Sequence, residues 1–150
     1  MISKILVPHD GTEMSDRAFK KAHELAKMFK AEMILLHVIE VVPVSPIIHY
    51  GIDIDVINNA NISTWRELEK GWDKLVKLKT HEIENDKAVL RGECKYGSAA
   101  EQILRFAKNN KIDMIIMGSH RLKGLSKIKA LGSVTRKVSE NADCPVLIVR

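Results

Sequence analysis

Between Gly118 and Thr135 the chain reads GSHRLKGLSKIKALGSVT: an apolar run ending in glycine, a basic stretch, then a second glycine followed by Ser133 at the expected start of a helix. Backbone N–H groups in a glycine-containing turn and at a helix N-terminus converge on one anion, so this layout suits a phosphate cradle. It is not a Walker P-loop, which requires Gly-Lys-Ser/Thr at its second glycine; here Leu125 and Ser126 follow Gly124. From Gly118 to Val138 the basic residues are Arg121, Lys123, Lys127, Lys129, Arg136 and Lys137, with no acid among them, so positive charge gathers at the cradle. Lys127, Lys129 and Lys137 read as a solvated basic face.

A second loop of interest follows the apolar run Ile2 to Pro8, where Asp10-Gly11 forms a turn signal and Thr12 or Ser15 can cap a helix reaching about Phe29. Met33 to Ile39 is another apolar run, hence a buried strand. Residues 40–55 contain Pro43, Pro46 and Gly51 and read as a long loop. From Val56 to Ile83 apolar residues recur at helical spacing, predicting a long helix frayed near Gly71, with Trp65 and Trp72 as core packing on one face. Ala88 to Cys94 reads as an edge strand, because Arg91 and Glu93 make one face wet. Ser98 is expected to cap the next helix, Glu101 to complete a capping box, and Ala99, Ile103, Leu104 and Ala107 to form its apolar face. Ile112 to Met117 is a fourth strand, Gly132 to Asn141 a last helix capped by Ser133, and Pro145 to Val149 a fifth strand.

Continuous apolar strands alternating with helices imply a parallel sheet covered on both faces, joined by right-handed crossovers. The expected fold is therefore α/β, a three-layer doubly wound five-stranded sheet in a single domain over residues 1–150. In such sheets ligands bind outside the carboxyl ends of the strands where strand order reverses, which would bring the loop after Pro8 and the loop after Gly118 to one crevice.

Composition narrows the classes. With 150 residues, 45% of them apolar, the chain can bury one sizeable core. Cys94 and Cys144 have neither disulfide-framework nor zinc spacing, which fits a reducing cytoplasm. No run approaches the roughly 18 apolar residues of a membrane span, so a soluble, unprocessed protein is expected. The net charge of +5 favours anionic partners, but with aromatic residues at only 5% nucleic acid is not the expected one.

The segments VPHDG, YGSAAEQIL, DMIIMGSH, LGSVTRKV and CPVLIV, in this order along nearly the whole chain, resemble the universal stress protein family. The resemblance implies strand order 3-2-1-4-5, in an adenine nucleotide alpha hydrolase-like fold, and a cytoplasmic module that binds ATP or AMP, with Mg2+ on the phosphates, and regulates protein partners in stress. Carried over by position, Pro8, His9 and Asp10 would line the site, with Asp10 on the ribose or adenine edge, and Val38 would offer backbone groups to adenine. Gly118 and His120 would line the phosphate path, and Met117 and Arg121 are counted with the candidate ligand-binding residues. Gly132, Ser133, Val134 and Thr135 would hold phosphates through N–H groups and hydroxyls. It also implies a homodimer through antiparallel pairing of Val146 to Val149, an apolar edge suited to pairing on its own account.

One departure bears on the ligand. The nucleotide-binding pattern has a second glycine three residues after the first, where this chain has Arg121, and the stretch from there to Gly132 is one residue longer than usual. Arginine lacks glycine's conformational freedom. Two readings stay open: Arg121 closes the cradle, leaving a dimeric interaction protein without nucleotide, or its guanidinium grips phosphate while Gly124 supplies the missing freedom. A weak ATP-hydrolysing enzyme is a third reading, although no GxSxG or HExxH motif is present and the only acids in the first loop are Asp10 and Glu13. His9 and His120 read as polar wall residues rather than a metal pair, and His23, His37, His49 and His81 form no constellation.

Overall fold

The computed structural model describes residues 1–40, 54–84, 88–119 and 131–150, with side chains from Ile62 onward in the helix that begins at Ile54. The elements follow in the order β1 (Lys4–Pro8), α1 (Glu13–Phe29), β2 (Glu32–Ile39), α2 (Ile54–Ile83), β3 (Leu90–Tyr96), α3 (Ala99–Asn109), β4 (Met114–Gly118), α4 (Ser133–Asn141) and β5 (Val146–Val149). The strands form one parallel sheet in the order β3-β2-β1-β4-β5, as expected.

The period-two geometry of the strands builds two cores. Ile5, Val7, Met33 and Leu35 point to one face and pack with Phe19 of α1 and Trp72 of α2. Leu6, Ile34 and Leu36 point to the other and pack with Ile103 and Phe106 of α3 and Val138 of α4. A strand buried on both faces favours apolar residues at successive positions, which is why β1 from Ile5, β2 apart from Glu32 and His37, and β4 are apolar runs. At the amino end of the sheet, Asp113 accepts hydrogen bonds from the Ser3 backbone and hydroxyl and from the Lys4 backbone, at 2.8, 2.8 and 2.9 Å, tying the start of β1 to that of β4. No helix of the described residues is long and apolar enough to cross a membrane.

Several local expectations are corrected. Helix α2 starts at Ile54, inside the span read as loop, and is continuous through Gly71. A mid-helix glycine costs only about 1 kcal/mol against alanine, and the neighbouring Trp72 is anchored in the core. Trp65 is not core: it is half-buried and tilts against Tyr96, which donates to Glu69. The 30 residues of α2 span about 45 Å, whereas the seven residues of β3 span about 23 Å. The helix therefore overhangs the sheet, and Trp65 meets its rim. In α3 the buried stripe is Ala100, Ile103, Phe106 and Ala107, with Ala99 and Leu104 only half-buried. Ser98 is the N-cap residue by backbone conformation, but its side chain makes no capping bond, so the capping box does not form. The cap of α4 is Gly132, one residue before Ser133.

The two sheet edges differ. β3 carries the exposed Arg91 and the half-buried Glu93 and Lys95, with Glu93 paired to Arg91 at 3.3 Å and to Lys95 at 3.2 Å, a charged border that discourages further strand pairing. β5 carries only Val146, Leu147, Ile148 and Val149, half-buried or exposed.

Candidate functional site

From β1 the chain crosses to β2 on one side, and from β4 it crosses to β5 on the other, so the carboxyl ends of β1 and β4 flank the point where strand order reverses. A cavity of about 390 Å3 opens there. Of the residues expected at a site, Pro8, His9, Asp10, Val38, Met117, Gly118, Gly132, Ser133, Val134 and Thr135 all line it. His120 and Arg121 lie outside the described residues, as do Gly124 and residues 41–53. The walls also include Thr12, Met14, Ser15, Leu36, His37, Glu40, Ala99 and Ile103, which the motifs did not single out.

One wall is the β1–α1 turn. Gly11 takes φ +84°, a conformation suited to glycine, and its N–H donates to His9 Nδ1 at 3.1 Å. Thr12 caps α1, its hydroxyl oxygen accepting from the Ser15 N–H at 3.4 Å. Asp10 Oδ1 accepts from the Thr12 backbone at 3.1 Å and from the Thr12 hydroxyl at 2.6 Å. Partial burial pushes the Asp10 carboxyl up, but the Thr12 and Ser15 hydrogen bonds outweigh it and hold the group below the usual carboxylate range. Asp10 is therefore ionised near neutrality. With roughly four lone-pair directions on a carboxylate and two taken by Thr12, it retains acceptor capacity toward the cavity.

The opposite wall is the start of α4. Gly132 provides no side-chain cap, the first turn holds no acid, and the first intrahelical bond is from Arg136 N–H to the Gly132 carbonyl at 2.9 Å. The N–H groups of Ser133, Val134 and Thr135 are thus left over by the helix, and the dipole adds positive potential at the same place. Helix α1 contrasts with this: Thr12 caps it, and Glu13 and Asp16 lie in its first turn. Gly132 has an ordinary φ of −61°, and a Cβ built on it meets nothing within 4 Å. Neither backbone conformation nor packing among the described residues requires glycine there. Gly132 itself lines the cavity.

One expected role changes in detail. The Thr135 hydroxyl, on a buried residue, donates to the Gly118 carbonyl at 3.3 Å, so it clasps α4 to the end of β4 rather than standing free. His9 is in the wall, as expected, and both its ring nitrogens are engaged: Nδ1 accepts from Gly11 and Nε2 donates to Asp16 Oδ1 at 3.1 Å. Among the described residues no group of three or more His, Cys, Asp and Glu side chains is placed to hold a metal ion. His37, for which no role was expected, lies in the wall, donates from Nδ1 to the His9 carbonyl at 2.8 Å, and stacks on Trp72 with ring centroids 5.0 Å apart. The available signal was a lone polar residue near the carboxyl end of an otherwise apolar strand.

The sequence profile of the universal stress protein family matches residues 1–150. The chain belongs to this family. It is 37% identical over 161 residues to the universal stress protein YxiE of Bacillus subtilis, with all of both chains covered. It is 30% identical over 158 residues to the universal stress protein MJ0577 of Methanocaldococcus jannaschii, covering 100% of this chain and 96% of that one. The solved structure of MJ0577 superposes with a TM-score of 0.76, covering 99% of this chain and 96% of that one. The same fold occurs in a universal stress protein solved in complex with cAMP, at TM-score 0.68 and 18% identity, with coverage of 99% and 97%. It occurs again in one from Archaeoglobus fulgidus solved in complex with dAMP, at TM-score 0.63 and 16% identity, with coverage of 100% and 98%. As a universal stress protein the chain has the family's five-stranded parallel α/β sheet, and the cavity lies at that sheet's switch point.

Proposed function

We propose that this universal stress protein binds an adenine nucleotide, ATP or AMP, in the cavity between β1 and β4 and acts as a regulatory module rather than an efficient enzyme. The observation that carries the reading is the pairing of two unlike walls: an ionised carboxylate at Asp10 and an uncapped, acid-free helix start at Gly132 to Thr135. A ribose suits the first, because its vicinal hydroxyls donate to a carboxylate. Phosphate suits the second, because leftover N–H groups and the positive helix end both favour anions. Val38, Ile103 and Met117 supply apolar surface for a base between them, and a cavity of about 390 Å3 lies within the common range for small-molecule sites. The universal stress proteins solved with cAMP and dAMP support the ligand class. Mg2+ would be carried by phosphate oxygens and water. Arg121, whose guanidinium suits paired hydrogen bonds to phosphate, acts in this reading as a phosphate ligand rather than as a plug.

Calorimetric titration with AMP and ATP tests the assignment, with saturable binding below millimolar nucleotide as the expected result. Heat no different from that of buffer at millimolar nucleotide would reject it in favour of an interaction protein whose cradle Arg121 closes.

The regulatory output in this proposal is a surface altered by ligand and read by protein partners, delivered from a homodimer formed by antiparallel pairing of β5. The apolar, partly exposed Val146 to Val149 edge supports that pairing, and the charged β3 edge makes it the favoured border. Light scattering is expected to return twice the 16.9 kDa chain mass at tens of micromolar. A strict monomer would exclude this dimer.

A further inference from the structure

A chain of polar contacts runs from α2 through α1 to the turn that carries Asp10. Lys79 Nζ on α2 pairs with Asp16 Oδ1 on α1 at 2.9 Å and with Glu82 at 3.1 Å. The same Asp16 oxygen accepts from His9 Nε2 at 3.1 Å. His9 is fully buried in its side chain, so the ring has no water to fall back on. Its second nitrogen, Nδ1, accepts the Gly11 N–H at 3.1 Å, at the one residue of the turn with a positive φ. The backbone of His9 is held as well: its N–H donates to the Leu36 carbonyl at 2.8 Å, and its carbonyl accepts from His37.

These contacts determine a tautomer. An imidazole that accepts at Nδ1 must carry its proton at Nε2, and a proton at Nε2 needs an acceptor inside the fold. Asp16 is that acceptor, and Lys79 fixes which way the carboxylate points. Moving the proton to Nδ1, or adding a second one, would set two donors against each other at Gly11 and remove the bond that closes the turn. Asp10 immediately precedes Gly11, so the direction of its carboxylate depends on that closure.

We infer that Asp16 and Lys79 are positioning residues of the nucleotide site: they hold His9 in its Nε2–H tautomer and thereby lock the Gly11 turn that aims Asp10 into the cavity. Neither residue lines the cavity itself. The inference rests on the nucleotide reading for its effect on ligand, while its tautomer component stands on the free protein. Long-chain coupling of this kind passes from α2, which packs at Trp72 against both His9 and His37, with ring centroids at 6.1 and 5.0 Å.

The test uses the full chain and three variants, Asp16→Leu, Asp16→Asn and Lys79→Met, with AMP as the ligand probe. Ring 1H–15N correlation spectra report the His9 tautomer without ligand, amide hydrogen exchange reports the Gly11 N–H, and calorimetry reports AMP affinity. Asp16→Leu is expected to mix the His9 tautomers, speed Gly11 exchange and weaken AMP about tenfold. Asp16→Asn keeps an oxygen acceptor and is expected to retain the tautomer and an affinity within about twofold of the parent, which a purely structural role for the ion pair would not predict. Lys79→Met frees the carboxylate and is expected to weaken AMP about threefold, in the same direction, and it serves if Asp16→Leu does not fold.

Affinity is also expected to fall as pH drops through the folded pKa of His9. Burial holds that pKa below 6.5, against the opposing pull of Asp16, with Lys79 lowering it further and Asp10 raising it; Glu82 acts through Lys79, and His37 faces the His9 carbonyl. An unchanged tautomer in Asp16→Leu, or a changed tautomer with unaltered AMP affinity, would overturn the inference. If the parent protein binds no AMP or ATP, the nucleotide reading fails and the ligand half of the inference falls with it. The tautomer and Gly11 exchange data then decide the structural half alone.

Discussion

Gly118→Ala is expected to destabilise the protein by about 3 kcal/mol, at the upper end of overpacking costs, and to deform the cavity with it. A Cβ at Gly118 would lie 2.4 Å from the Met14 carbonyl oxygen and 2.5 Å from its carbon. These are backbone atoms in the first turn of α1, so no rotamer change relieves the clash. Relief requires α1 to lift away from β4, and that movement shears the core shared by Phe19, Ala18 and Ile116. Against a typical stability of about 5–15 kcal/mol the loss is large but leaves a folded protein to measure. Urea denaturation should show a lower midpoint at unchanged slope. Because Met14 and Ser15 line the cavity together with Gly118, AMP binding should weaken in parallel. A midpoint shift worth less than about 0.5 kcal/mol would mean that α1 slides freely over β4, contrary to its packing.

Gly132→Ala is expected to show the opposite pattern, with AMP affinity falling by about tenfold or more and stability changing by less than about 1 kcal/mol. The position is an N-cap with ordinary φ and empty surroundings, so the fold tolerates a methyl group. In the proposed function, a methyl there would hinder a phosphate approaching the N–H groups of Ser133 and Val134. Calorimetry with AMP and a urea melt on the same preparation separate the two effects. Equal affinity in the parent and the variant would show that no anion approaches α4 from this side. The two glycines belong to one sequence motif yet are expected to serve different ends, Gly118 helix–strand contact and Gly132, in the proposed function, ligand access.

Much of the fold was legible from local pattern. The apolar runs of β1, β2 and β4 could only be central strands, and the alternation with helices dictated a parallel sheet. The Asp10-Gly11 turn and the Gly132-Ser133 helix start announced the two walls, because turn chemistry and helix capping depend on residues within four positions of each other. The misread details all involve forces that act across the chain. Glu101 and Ser98 have the spacing of a capping box, yet the Ser98 side chain makes no capping bond and Glu101 pairs with Lys137 of α4 at 3.1 Å. Trp65 keeps the helical phase of Trp72, yet α2 outruns the sheet, so equal phase does not give equal burial. Thr135 sits where a phosphate ligand was expected, yet its hydroxyl is taken by Gly118.

By itself the sequence determined the family, the strand inventory and the position of both candidate walls, since each depends on residue type, periodicity or short spacing. Only the tertiary structure decided how the walls are held. His9, Asp16, His37, Trp72 and Lys79 come from the turn after β1, from α1, from β2 and from α2 and are scattered over some seventy positions. No spacing rule connects them. Their contact depends on where α2 crosses the sheet, which is set by burial of Trp72 and Ile83 against β1 and β2. A hydrogen-bond relay between such residues exists only once the hydrophobic packing has brought them within 3 Å or so of each other.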